Sequence, residues 1–263
     1  MSASEVPRAA STAVEADGNS AGFAGNDVDR VVAEMAELAG GLAHELRNPL
    51  STILIQLKLL TEDVEDRTVP VEDMRRRALL KIDLLRRESV RLQDLFDEFL
   101  NLAGPCRLRR MRTDLADIVR RLAEFVEPGA LQANIRVEAD LPGGPVTCLV
   151  DEQLISQALL NLILNAQQAM PQGGRLRLSV RVENGGAEIR VSDTGVGIAP
   201  QEHERVFRPF FSTKPRGTGL GLPIARRIVR EHGGDLSFES AVGRGTTFVV
   251  RLPDADAGRY NPS

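Results

Sequence analysis

The stretch VDRVVAEMAELAGGLAHELRNPLSTILIQLKLL (residues 28–60) decides how the first part of the chain folds. Its apolar residues fall at Val28, Val32, Met35, Ala39, Leu42, Leu46, Leu50, Ile53, Leu57 and Leu60. Steps of three and four sustained over the whole stretch predict one long amphipathic helix with a coiled-coil-like seam. Residues 61–69 are polar, and Pro70 suits the first turn of a second helix, with Glu72 and Asp73 favourable near its positive end. A second run follows at Met74, Ala78, Ile82, Leu85, Leu92, Phe96, Phe99 and Ala103, and Gly104-Pro105 stops it. Two long helices with a short connection make an antiparallel hairpin. A lone hairpin leaves much of each stripe bare, whereas two make a four-helix bundle. Residues 28–104 are therefore expected to dimerise.

On the N-terminal side, residues 1–27 are rich in Ala, Ser, Gly and Asp and have few sizeable apolar groups. Such a segment cannot bury enough surface to offset its ordering entropy, so a disordered leader is expected there. On the C-terminal side, residues 105–253 alternate helical and strand periods. Strands are expected at 135–139 and 146–150, and a helix at 151–170 capped by Asp151. Residues 175–182 alternate strictly, and Asn184-Gly185-Gly186 turns them back into a strand at 187–192. Another helix is expected at about 219–232, with closing strands at 236–239 and 246–252. A helical layer on one face of a mixed sheet is an α+β two-layer sandwich. Residues 254–263 read as a flexible tail.

The 263 residues suit two domains. Net charge is −4, from 33 basic and 37 acidic side chains, which argues against a dedicated nucleic-acid binder. The arginines at 75–77 and at Arg107, Arg109, Arg110 and Arg112 read better as solvated faces or contacts to an acidic protein. No apolar stretch approaches the ~20 residues that span a bilayer. The start lacks the basic-then-apolar order of a secretory signal. Cys106 and Cys148 are far apart, with no CxxC or Cys/His cluster, so both read as reduced thiols of a cytoplasmic protein.

Four clusters carry chemistry. In His44-Glu45-Leu46-Arg47-Asn48-Pro49, His44 points nearly opposite the seam, into water. A largely neutral imidazole beside a carboxylate has the character of a nucleophile. Adjacent side chains do not face each other on a regular helix, so a Glu45 contact needs a distortion that Pro49 could supply. On its own, an exposed helical histidine reads as plain surface. Asn161 and Asn165 share one helix face at i and i+4, and amide oxygens suit Mg²⁺ completed by water and phosphate oxygens. They could equally be solvated. In Asp193-Thr194-Gly195-Val196-Gly197, a carboxylate at a strand end can accept the exocyclic amine of adenine, and the glycines let backbone approach the ring. In Gly217-Thr218-Gly219-Leu220-Gly221, backbone N–H groups opening a helix suit a triphosphate. Between these last two lies Phe207-Arg208-Pro209-Phe210-Phe211-Ser212-Thr213-Lys214, a lid carrying a cation. Lysine occurs only three times, against thirty arginines, which singles out Lys214.

Taken in this order, the clusters resemble the transmitter core of two-component sensor histidine kinases over residues 35–253. His44 to Pro49 matches the H-box and Asn161 to Asn165 the N-box. Asp193 to Gly197, Phe207 to Lys214 and Gly217 to Gly221 are similar to the G1, F and G2 boxes, and Gly245-Thr246-Thr247-Phe248 to the last strand. Phe99 to Pro105 and Pro209 to Lys214 look most like the nitrogen-regulation-type subgroup. The resemblance implies a dimerisation and histidine-phosphotransfer domain at 28–104 and a Bergerat-type ATP-binding domain at 105–253. It also implies a mechanism: Asp193 selects adenine, Asn161 and Asn165 hold Mg²⁺, Lys214 and the 217–221 backbone neutralise phosphate, and His44, oriented by Glu45, takes the phosphoryl group. Related ATPases carry a water-activating Glu where this chain has Asn161, and an amide is a poor general base. The implied acceptor is an aspartate of a separate response regulator, with Asn48 orienting water to remove phosphate from it. A catalytically weak dimeric scaffold is the alternative.

Overall fold

The computed structural model describes residues 21–66, 68, 70–104, 107–183, 186–214 and 217–253. The leader up to residue 20, Cys106, the Asn184-Gly185 turn and the tail from residue 254 lie outside the described residues. The chain divides into two units, Met1–Gly40 and Gly41–Ser263. The described part of the first is helical throughout and belongs to α1 (Ala21–Glu65). Residues 21–27, expected in the unfolded leader, are thus helical. Once a helix is nucleated downstream, extending it through a short stretch containing Ala21 and Ala24 adds one hydrogen bond per residue at little cost.

In the second unit α1 continues through Pro49 without a break, so the distortion expected there does not interrupt the helix. Helix α2 (Val71–Ala103) starts after Pro70, whose φ of −56° already suits a helix, and Glu72 and Asp73 occupy its first turn. Lys81 of α2 closes the hairpin onto α1. Its ammonium donates to the Leu59 carbonyl at 3.1 Å and pairs with Asp63. Leu95 is the one buried residue among those described in α2, while Leu50, Leu57 and Ile82 of the expected seam are exposed. Leu42 and Leu46 of the same seam are half-buried against the core of the sandwich, so part of the apolar stripe is covered within the chain and the rest is left for another surface.

The remaining elements run in the order β1 (Met111–Asp114), α3 (Leu115–Gln132), β2 (Ile135–Asp140), β3 (Thr147–Val150), α4 (Glu152–Gln168), β4 (Gly174–Glu183), β5 (Gly186–Asp193), α5 (Gly221–Glu231), β6 (Asp235–Ala241) and β7 (Gly245–Pro253). A five-stranded sheet has the order β2-β4-β5-β7-β6, with β2 parallel to β4 and every other pair antiparallel. Strands β1 and β3 form a separate antiparallel ribbon. Helices α3, α4 and α5 pack on one face of the sheet, giving the expected two-layer sandwich. Strand β1 and helix α3 add to the expected order. Arginines at 107, 109, 110 and 112 disguise the strand, and Pro128-Gly129 looks like a stop although α3 runs through it.

Register explains the core. Leu178, Val191 and Phe248 lie in one row across the sheet, and Val180, Ile189 and Val250 in the next, all buried beneath the helices. Two aspartates then set the helices. Asp114 caps α3 by accepting from Ala116 N at 3.0 Å and also holds Val146 N at 2.9 Å. Asp151 caps α4 through Leu154 N at 3.2 Å and binds Arg109 N at 2.9 Å. Each such cap is worth about 1 kcal/mol. Behind Asp151, His232 Nε2 accepts from Asp151 N at 3.0 Å, and the Ile228 carbonyl lies 2.7 Å from its Nδ1.

Candidate nucleotide site

Strand alternation carries Ile189 and Val191 into the core, so Asp193, two residues further along β5, faces the helices as well. Its Oδ1 accepts from Gly195 N at 2.8 Å and Thr246 N at 3.3 Å. Its Oδ2 is buried without a hydrogen-bond partner. Burial pushes the carboxyl above the usual aspartate range, against the backbone N–H groups and the Lys214 charge. A buried acceptor left open in this way marks a place for a ligand donor.

Although Asp193 itself is not in the lining, Thr246, whose N–H it holds, lines a cavity of about 750 Å³. Asn161, Asn165, Gly197, Lys214, Thr218, Gly219 and Gly221 all line it, so seven of the expected binding residues converge from four separate sequence clusters. Asn161 Nδ2 donates to the Gly221 carbonyl at 3.3 Å, tying α4 to the start of α5 and leaving Asn161 Oδ1 as an acceptor. The Lys214 ammonium donates to Asn165 Oδ1 at 2.7 Å, to Asn165 O at 3.1 Å and to Gln168 Oε1 at 3.2 Å. Burial lowers the Lys214 pKa to about 8, opposed by Asp193. Gly219 has a φ of 69°, and a β-carbon there would collide with the backbone of Phe210 and Phe211, so lid and loop approach only because this residue is glycine.

Other expectations need correction or extension. The Leu220 side chain is wholly within the core, as the apolar residue entering α5, and its backbone N–H, the group expected to matter, donates weakly to the Thr218 hydroxyl at 3.4 Å. Gly195 contributes through its N–H, which holds Asp193. His44 and Asn48 lie exposed on α1 and Glu45 is half-buried, all three outside the cavity lining. The expected orienting hydrogen bond from Glu45 to His44 is not formed, because α1 runs undistorted through Pro49 and adjacent side chains on a regular helix do not face each other. The sequence reading missed Gln168, Glu98 and Thr246. Gln168 was within reach, since it follows Asn165 by three residues on the same face. Glu98 was not, because it belongs to α2.

Two amide oxygens fit a hard cation that brings most of its ligands as water and phosphate oxygens. Among the described residues no group of three His, Cys, Asp or Glu could hold a metal alone. No helix of the described residues is long and apolar enough to cross a membrane.

Residues 34–104 match the family described as His Kinase A (phospho-acceptor) domain, and residues 150–256 match the Histidine kinase-, DNA gyrase B-, and HSP90-like ATPase family. Sporulation kinase C of Bacillus subtilis is 34% identical over 220 residues, covering 83% of this chain and 49% of that protein. The sensor histidine kinase ZraS of Klebsiella oxytoca is 35% identical over 222 residues, covering 83% and 46%. Full-length ShkA, solved in complex with AMPPNP, superposes with a TM-score of 0.61 at 27% identity, over 83% of this chain and 45% of that one. The chain spans about half the length of the curated relatives it matches. With its phospho-acceptor hairpin joined to an ATP-binding sandwich, the chain belongs to the histidine kinases and carries a two-component transmitter core.

Proposed function

We propose that the chain is an ATP-dependent kinase that phosphorylates itself on His44 and passes the phosphoryl group to an aspartate of a separate response regulator in the cytoplasm. The observation that most supports this reading is the convergence of Asn161, Asn165, Lys214, Thr218 and Gly219 on one cavity, with Asp193 and its open Oδ2 bonded to Thr246 of the lining, in a chain whose α1 presents an exposed His44.

Asp193 Oδ2 accepts the adenine amine. Lys214 and the backbone of Gly217, Thr218, Gly219 and Gly221 balance the phosphate charge. Asn161 and Asn165 would hold Mg²⁺ through their amide oxygens, with the Lys214 ammonium, now on Asn165, turned to phosphate. Such an ion would supply charge neutralisation to the phosphates. A neutral ring nitrogen of His44 attacks the γ-phosphorus. The N–P bond forms as the bond from phosphorus to the β,γ-bridging oxygen breaks, ADP leaves with that electron pair, and the other ring N–H loses its proton toward Glu45 or water. With His44 outside the cavity lining, transfer requires either movement of the nucleotide-binding elements relative to α1 or an acceptor from a second copy. The exposed Leu50, Leu57 and Ile82 of the hairpin suit such a dimer.

Asn48 lies four residues after His44 on the same exposed face, where its amide can orient water toward a docked phospho-aspartate. Radiolabelling with γ-³²P-ATP tests the proposal. Label stable to base and labile to acid is expected on the wild type and absent from His44→Gln. Equal labelling of the variant, or none of the wild type, would sink it. Asn48→Ala should leave labelling near normal and slow dephosphorylation of the regulator.

A further inference from the structure

Helix α2 lends the nucleotide cavity a wall that the family-like motifs do not include. Leu84, Arg87, Arg91, Asp94 and Glu98 line it at helical spacing. Glu98 is held firmly there. Leu95, one turn earlier, is buried, and Leu102, one turn later, packs against the core of the sandwich. The end of the same helix is fastened by the Arg227 guanidinium, which donates to the carbonyls of Asn101 (2.8 Å), Leu102 and Gly104. These are the orphan carbonyls of a helix C-terminus, where a cation is favoured.

Between those anchors, Glu98 meets the glycine-rich loop. The Thr218 hydroxyl accepts weakly from Leu220 N at 3.4 Å, and Thr218 and Glu98 line the same cavity, the hydroxyl favouring the charged form of the Glu98 carboxyl. The second carboxylate oxygen, Oε2, is buried with no partner. Burial raises the Glu98 carboxyl above the usual range, and Asp94 adds to the effect. An acid is therefore placed on the loop whose N–H groups and hydroxyl otherwise suit anions.

We infer that Glu98 is a specificity-determining residue of the nucleotide site: its carboxylate takes the Thr218 hydroxyl and opposes nucleotides in proportion to their phosphate charge. The inference rests on the nucleotide reading above. Because Glu98 rides on α2, any displacement of that helix from the sandwich also changes affinity for ATP.

Calorimetric titration of the full chain with adenosine, ADP and ATP, for the wild type, Glu98→Gln and Glu98→Ala, tests it. Adenosine affinity should stay the same in all three proteins. ADP should bind more tightly to the variants and ATP more tightly still, by roughly fivefold or more at low salt, with the gain shrinking as salt screens the charge. Glu98→Gln keeps the side-chain shape and carries the test should Glu98→Ala melt early. Equal gains for adenosine and ATP would mean a steric effect and overturn the inference. Weaker ATP binding would make Glu98 a ligand for the nucleotide or its cation, and would also overturn it. If no ligand of the series bound the wild type, the nucleotide reading itself would fall, a result distinct from the other two.

Discussion

The Lys214 ammonium and the Asn165 side-chain oxygen are hydrogen-bonded at 2.7 Å, so the lid is joined to α4 through the amide proposed to hold the metal ion. The two residues sit 49 positions apart in the chain and answer to different expected roles, phosphate and Mg²⁺. Lys214 therefore has to exchange Asn165 for phosphate when the nucleotide enters.

That exchange predicts a pH dependence. Lys214 is an ammonium below a pKa of about 8 and loses its proton as pH rises through that value, well before an ordinary lysine would. Wild-type ATP affinity should fall between pH 7 and pH 9, by roughly tenfold or more if one charge-assisted contact is lost. Lys214→Met should bind ATP at the weaker level throughout and show no such step. A wild-type affinity flat across this range would contradict the assignment.

Asp193→Asn separates base recognition from folding. The amide oxygen can keep the bonds from Gly195 N and Thr246 N, while the NH₂ replaces the open Oδ2. A donor then faces the adenine amine, costing about 1–3 kcal/mol. Adenosine titration should show this loss with the thermal midpoint little changed. Full adenosine affinity in the variant would misplace the base site.

His232 makes stability sensitive to mild acid. Its Nε2 accepts from Asp151 N, so the ring is neutral, and burial holds its pKa below 6.5. With the folded pKa below the unfolded one, the unfolded chain binds the proton first. The stabilisation is complete above pH 6.5 and is lost as pH falls from there toward the folded pKa. Urea denaturation at pH 5 to 8 should show this slope. His232→Phe should remove it and cost about 1–3 kcal/mol at pH 8, where Asp151 N loses its acceptor. The same burial keeps His232 from being labelled by ATP.

Gly41 and Phe210 test the seat of the lid. A β-carbon on Gly41 would strike the Phe210 ring, and Phe210 itself is held at a φ of 61°. Gly41→Ala should destabilise by about 1–3 kcal/mol through overpacking, although alanine is the better helix former. In a Phe210→Ala background the same substitution should become neutral or stabilising. An equal cost in both backgrounds, read from thermal melts, would rule out the contact as its cause.

What the sequence by itself determined is whatever depends on neighbours a turn or a pleat away. Periodicity placed the seam of α1, Asp151 announced the start of α4, and strict alternation marked β4. Asn161 and Asn165 share a face at any α-helix of that register, and His44 lies off the seam for the same reason. Tertiary structure decided what depends on distance through space. It brought Glu98 of α2 onto Thr218, paired Lys214 with Asn165, and fastened α2 with Arg227 across more than a hundred residues. It also carried the Leu220 side chain into the core. None of these is written in a local pattern, because each is chosen by the packing of α2, the lid and α5 around a common cavity, where volume and unpaired polar groups settle which side chains meet.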